Sequence, residues 1–219
     1  LLELMNLEEF KLNDTIKEKQ IITPPKENSK KVNLHSSTSI EELEKYLNQS
    51  YNLNSNLIEG NIDSKILFFF GKCHKQDQKI LDNKSGELFD KMLSSIKLER
   101  SNVCLASYIP RGLENLYDDE EFLTQIQMVN YRLIEIVNPK YLIIMSNYCI
   151  KMLLATDLSS MSLRGKWFDF NTANDTTPKK CRVLYEPEIL LNNPELKKDA
   201  WEDLKAVSYT HLTLPTKQA

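Results

Sequence analysis

Short apolar runs alternate with amphipathic segments from residue 65 onward, and this alternation limits the possible folds more than any other feature of the chain. The apolar runs, each predicted to be a strand, are KILFFFG (65–71), NVCLAS (102–107), YLIIMS (141–146), LRGKWFDF (163–170) and CRVLY (181–185). The segments between and after them predict helices over 85–98, 120–137, 149–155 and 194–205. Strands that alternate with helices predict an α/β fold, with a three-layer α/β/α arrangement around a central, mainly parallel sheet of four strands.

In such sheets, ligands bind beyond the carboxyl ends of the strands. Candidate site residues are therefore expected at Gly71 to His74, Ser107 to Arg111, Ser146 to Tyr148 and Tyr185 to Pro187. These four segments should converge on one edge of the sheet.

The chain is predicted to hold one domain, over residues 38–206. Residues 1–37 contain acids, lysines and the pair Pro24-Pro25, which indicates a short helix and a flexible linker. Ser39 followed by Glu42 forms a capping box, so a helix is expected over 40–49.

The tail VSYTHLTLPT (207–216) matches the translation of a transposon adaptor used in sequencing libraries, with a terminal β-strand as the alternative. We therefore expect residues 207–219 to be non-native. The chain opens with Leu1, and we expect its start to lie upstream.

Charge and cysteine usage narrow the function classes. The net charge of −3, from 28 basic and 31 acidic residues, argues against a protein that grips nucleic acid through bulk charge. The four cysteines contain no C-x-x-C pair, which favours reduced thiols in a cytoplasm. Because the apolar runs are far shorter than the roughly 20 residues of a membrane span, we expect a soluble protein. We also expect a monomer.

Four strings carry a family resemblance, in order and at matching separations: SGELFDKML, VNPKYLIIM, LRGKWFDF and YEPEILLNNPELKKDAWEDLK. They resemble the bacterial uracil-DNA glycosylases of the iron–sulfur type and their alphaproteobacterial relatives, over residues 38–206. The resemblance implies base-excision DNA repair, in which uracil is flipped out of DNA and its N-glycosidic bond is hydrolysed.

The positions that carry the family's chemistry differ in this chain. The family's first strand ends in a glycine-rich catalytic turn, of which Gly71 remains, followed by Lys72. Leu81 stands where the family has a Phe that stacks on uracil, and it cannot supply the aromatic stacking worth roughly 1–3 kcal/mol per base.

The second strand of the family ends in an Asn that distinguishes uracil from cytosine, and this chain has Ser107 there. The arginine-rich DNA-binding segment that follows in the family is reduced to Arg111 and an acidic stretch. By resemblance, DNA remains the expected partner, with weakened affinity.

Glu186 replaces the family's His, which bonds the uracil carbonyl and stabilises the departing base. Losing such a donor costs about 2.7–4 kcal/mol, and a carboxylate would also repel the anion. The Pro187 position and the Leu190-Leu191 pair correspond to the family's DNA-contacting loop, which wedges into the duplex. The family's cluster cysteines have no counterpart, so we expect no iron–sulfur centre, no other cofactor and no metal.

Three functions stay open: a glycosylase-like protein with weak or lost activity, a non-catalytic module that binds DNA or protein, and a glycosylase of altered specificity using Glu186 or Asp77. Four further features have both a structural and a functional interpretation. Cys73-His74 is expected to be a loop pair rather than a nucleophilic or metal pair, and the acids at 118–121 to cap a helix rather than to catalyse. Lys72 and Lys75 suit either a phosphate or solvent, and Trp167 and Trp201 are expected to pack in the scaffold.

Overall fold

Six strands form a single sheet in the computed structural model, which describes residues 34–52, 56–73 and 78–211. The strands are β1 (Ile58–Gly60), β2 (Ile66–Lys72), β3 (Cys104–Ile109), β4 (Tyr141–Ile144), β5 (Trp167–Thr172) and β6 (Asp175–Val183). Their order is β1-β3-β2-β4-β6-β5. The four central strands are parallel, and the edge strands β1 and β5 pair antiparallel with their neighbours. The sheet is thus mostly parallel, with six strands rather than the four predicted.

Seven α-helices lie in the described part of the chain. They are α1 (Ile40–Tyr51), α2 (Asn83–Ser95), α3 (Glu120–Val137), α4 (Asn147–Leu154), α5 (Ser160–Leu163), α6 (Pro187–Asn192) and α7 (Lys197–His211). None of them combines the length and apolar character that crossing a bilayer requires.

Strand β2 lies at the centre of the packing because both of its faces are apolar. Leu67 and Phe69 join a core cluster that contains residues of α1, α3 and α4. Phe68 and Phe70 join a second cluster, with residues of α2, α6 and α7. The alternation of side chains along a strand therefore gives each face of the sheet its own hydrophobic core.

Side chains at the helix starts behave much as predicted. Ser39 Oγ accepts a hydrogen bond from the Glu42 amide at 3.4 Å, and Glu42 Oε2 accepts from the Thr38 amide at 2.6 Å, one residue before the expected partner. Asp119 caps α3 by accepting from the Phe122 amide at 2.9 Å, which agrees with the capping interpretation of this acidic segment.

The described residues begin at residue 34 and end at residue 211. Residues 207–211 continue helix α7, and Val207 is buried. The predicted N-terminal helix and linker up to residue 33, together with His74, Lys75, Asp77 and residues 212–219, lie outside the described residues.

Candidate functional site

A cavity of about 760 Å³ lies where the parallel strands end, as the topology predicts. The strand ends contribute Gly71 and Lys72 at the end of β2, Ser146 and Tyr148 after β4, and Glu186 after β6. The volume falls within the range of small-molecule sites. Three residues singled out from the sequence as catalytic positions, Gly71, Lys72 and Glu186, thus share one cavity.

Gly71 allows two strand ends to approach each other closely. A Cβ atom at this position would lie 2.6 Å from Ser146 Oγ and 3.9 Å from Glu186 Oε1. Ser146 is itself fixed, because its Oγ accepts a hydrogen bond from the Tyr148 amide at 3.2 Å at the start of α4. The floor of the cavity therefore has no room for a larger residue at position 71.

Glu186 is a partly buried carboxyl group of the cavity, at the residue that precedes α6. The pKa of Glu186 is raised to about 7, chiefly by burial and also by the nearby charge of Glu188, while Lys72 opposes both. Among the described residues, no hydrogen bond or ion pair engages the Glu186 carboxylate. A carboxyl group of this kind exchanges protons near neutral pH and has unused hydrogen-bonding capacity.

The cavity also contains cationic and aromatic groups. The Nζ atom of Lys72 lies 5.4 Å from the centroid of the Tyr117 ring, within the range of a cation–π contact. The Tyr148 hydroxyl is buried without a hydrogen-bond partner in the described residues, and burial raises its pKa, which keeps it protonated.

The opposite rim is formed by residues 81–85, at the start of α2. Leu81 and Asn83 have φ angles of 52° and 59°, in the left-handed region that a leucine rarely adopts. Asp82 stabilises this turn by accepting from the amides of Gln78 at 3.0 Å and Asn83 at 2.9 Å. Leu81, predicted to contact a base, therefore lines the same cavity as Glu186.

Arg100 holds this rim in place through the backbone. Its guanidinium donates to the carbonyl oxygens of Ile80 at 2.5 Å and Leu81 at 2.9 Å. It also forms ion pairs with Glu59 at 2.9 Å and Asp90 at 2.6 Å. One side chain thus links β1, α2 and the rim of the cavity.

Ser107 and Arg111 lie elsewhere. Together with Cys73 they line a smaller recess of about 120 Å³, to which Lys79 and Ile80 also contribute. The sequence-predicted base-binding set is therefore divided, with Leu81 and Glu186 in the large cavity and Ser107 in the small recess. The predicted DNA contact Arg111 is in the small recess as well.

The predicted DNA-wedging loop is a helix, α6, and its residues differ in exposure. Pro187 and Leu190 are buried, and Leu190 is only 2% exposed because it packs in the core with α7. Leu191 is 38% exposed. Only the second leucine of the pair is accessible to a duplex in this conformation.

The two tryptophans differ from each other. Trp167 packs against the core and lies under the Arg182 guanidinium, 5.4 Å from its ring centroid, as expected for a scaffold residue. Trp201 is 41% exposed, with Lys205 Nζ 6.0 Å from its ring, so it packs only in part.

The four cysteines do not assemble into a ligand set. All four are buried and none is in a disulfide, and burial raises the pKa of Cys104 to about 12 and those of Cys149 and Cys181 well above the usual range. Within the described ranges, no group of three or more His, Cys, Asp or Glu residues could hold a metal ion. The described residues do not fit an iron–sulfur cluster.

Ser146 and Tyr148 were predicted to lie at the carboxyl end of a strand, where ligands bind, but no role was predicted for them. Tyr117 and Arg100 were not predicted to belong to the site. Tyr117 follows no strand or motif, and the role of Arg100 depends on contacts with residues 19 to 41 positions away. No known family model matches the chain, and no curated protein matches it either.

Proposed function

We propose that this chain is a uracil-DNA glycosylase-like protein of base-excision ancestry, which accommodates a nucleobase in the large cavity but excises uracil weakly or not at all. The four sequence strings given above support the relationship. The four parallel central strands and the cores on both faces agree with the three-layer α/β/α arrangement that the resemblance implies.

The observation that carries the proposal is the place of Glu186 in the cavity. In the family that the chain resembles, a His at the corresponding position stabilises the negative charge that develops on departing uracil. A carboxylate cannot donate a hydrogen bond when ionised and repels that charge. The loss of the donor alone corresponds to about a 100- to 1,000-fold lower rate.

The test is a uracil-release assay on single- and double-stranded oligonucleotides that carry one uracil, with an ordinary uracil-DNA glycosylase run in parallel. We expect the full chain to release uracil at least about 100-fold more slowly than the ordinary enzyme. The Glu186→His variant should increase the rate, whereas Glu195→His, a matched change at an exposed position outside the cavity, should not. Release by the unaltered chain at the rate of the ordinary enzyme would contradict the proposal.

A second candidate is a glycosylase of altered base specificity, favoured by the Glu186 pKa of about 7. In this candidate, water adds to the sugar carbon, the N-glycosidic bond breaks, and the base leaves with the proton that Glu186 takes from the water. Release of a base other than uracil, abolished by Glu186→Gln, would select this candidate over the first.

A further inference from the structure

We infer that the cavity selects a guanine-type base, one whose edge presents two adjacent N–H donors, over uracil or thymine. This inference rests on the proposed function, because it takes the ligand to be a nucleobase. It adds the class of base and the groups that would recognise it.

Glu186 lacks hydrogen-bond donors in the described part of the cavity. A carboxylate withdrawn from water needs donors, and Glu186 has none among the described residues of the chain. Lys72 is exposed and lies over the Tyr117 ring rather than in an ion pair with Glu186. Glu188 adds a like charge. A ligand that brings two parallel N–H groups would satisfy both carboxylate oxygens at once.

The bases differ in the donors that they can offer to Glu186. Guanine presents two adjacent donors, its ring N–H and its exocyclic amino group. Uracil has a single ring N–H between two carbonyls, and those carbonyls would be repelled by the Glu186 carboxylate.

The cavity also has groups that suit the flat ring and the phosphate of a nucleotide. Leu81, Ile109 and Tyr117 give the cavity apolar surface for a flat ring. Lys72 and Lys84 line the same cavity and are exposed, as suits groups that contact a phosphate. A nucleotide, rather than an amine or a free arginine side chain, uses all of these features.

The experiment is equilibrium binding by titration calorimetry with the full chain and three 2′-deoxynucleoside 5′-monophosphates, those of guanine, hypoxanthine and uracil. Hypoxanthine is the matched ligand control because it differs from guanine only in lacking the exocyclic amino group. We expect guanine to bind at least about tenfold more tightly than either of the others. Glu186→Gln should abolish this preference, because an amide offers one acceptor and two unwanted donors, while Glu195→Gln should leave it unchanged.

The pH dependence gives an independent readout. The charged or titratable groups that act on Glu186 are Lys72, Glu188 and Cys149. Because guanine requires the ionised carboxylate, its affinity should increase several-fold between pH 6 and pH 8, and Glu186→Gln should remove the increase.

The results separate the inferred preference for guanine from the proposed nucleobase cavity. Equal or tighter binding of the uracil nucleotide, or a guanine preference that survives in Glu186→Gln, overturns the inference and leaves the nucleobase cavity standing. Failure of every nucleotide to bind overturns the inference, and if no base is released from DNA either, the nucleobase cavity is overturned as well. Binding of an arginine-containing peptide in place of the nucleotides would assign the paired donors to a protein partner and overturn the inference as well.

Discussion

Replacing Asp203 with alanine should destabilise the protein more than almost any other single charge removal. Asp203 lies in α7 and is 1% exposed. Its two oxygens accept from Arg164 Nε at 2.7 Å and Arg182 Nη2 at 2.6 Å, and the Arg182 side chain is itself 6% exposed. The variant would leave the buried Arg182 guanidinium without this counter-charge, while Arg164 would keep its ion pair with Asp199 at 3.3 Å.

The size of the effect follows from this burial. Breaking a buried ion pair by removing one partner costs about 3–5 kcal/mol. For a chain of this length each kcal/mol lowers the melting temperature by about 2–4 °C, so Asp203→Ala should lower it by about 6–20 °C. Asp203→Asn keeps the shape and one acceptor, and should lose less.

Thermal and urea unfolding, followed by circular dichroism, would measure these losses. The control is Asp157→Ala, which removes one partner of the Lys151–Asp157 pair at 3.5 Å, where the side chains are 67% and 92% exposed. That pair should contribute about 0–1 kcal/mol. If Asp203→Ala were no more costly than Asp157→Ala, the electrostatic account of the α7 docking would be refuted.

Three further experiments test other parts of the structure. Because the pKa of Glu186 is raised from 4.5 to about 7, its contribution to stability is present below pH 4.5 and is lost as the pH rises through 7. The free energy of unfolding of the unaltered chain, relative to Glu186→Gln, should therefore fall by about 2–3 kcal/mol over that interval in urea titrations, and a flat difference would contradict the assignment. Gly86→Ala would place a Cβ 2.1 Å from the Leu81 carbonyl oxygen, and should destabilise the protein by about 1–3 kcal/mol in chemical unfolding; an unchanged stability would mean that the rim yields freely. Burial raises the thiol pKa values of three cysteines, Cys104, Cys149 and Cys181. These thiols should therefore react with iodoacetamide only after unfolding, as site-by-site mass spectrometry would show. Labelling of the native protein at the unfolded rate would contradict their burial.

The regular elements with long periodic patterns could be predicted from the sequence. Helix α3 begins and ends where its apolar spacing indicates, and the burial of Phe68 and Phe69 on opposite faces of β2 agrees with its continuous apolar run. Strand β1 was missed because three residues, Ile58–Gly60, carry no pattern of their own and are held by pairing with β3.

Site geometry was predictable only where topology determines it. The strand-end rule placed Gly71 and Glu186 together because parallel strands end on one edge. It also grouped Ser107 with them, but Ser107 lines a separate recess beside Cys73. Arg164 and Asp203 lie in segments that the sequence predicts as a strand and a helix, but their ion pair could not be predicted, since a contact between residues 39 positions apart has no local signal.

The attachment of the cavity rim to Arg100 has a consequence for how this site can change. Arg100 contacts the rim at the carbonyl oxygens of Ile80 and Leu81, groups that all amino acids possess. A new side chain at position 81 therefore leaves the anchorage intact, and the left-handed backbone there would suit asparagine or glycine better than leucine. Position 81 is thus a point at which evolution or a protein engineer can alter what the cavity accepts without rebuilding the wall that surrounds it.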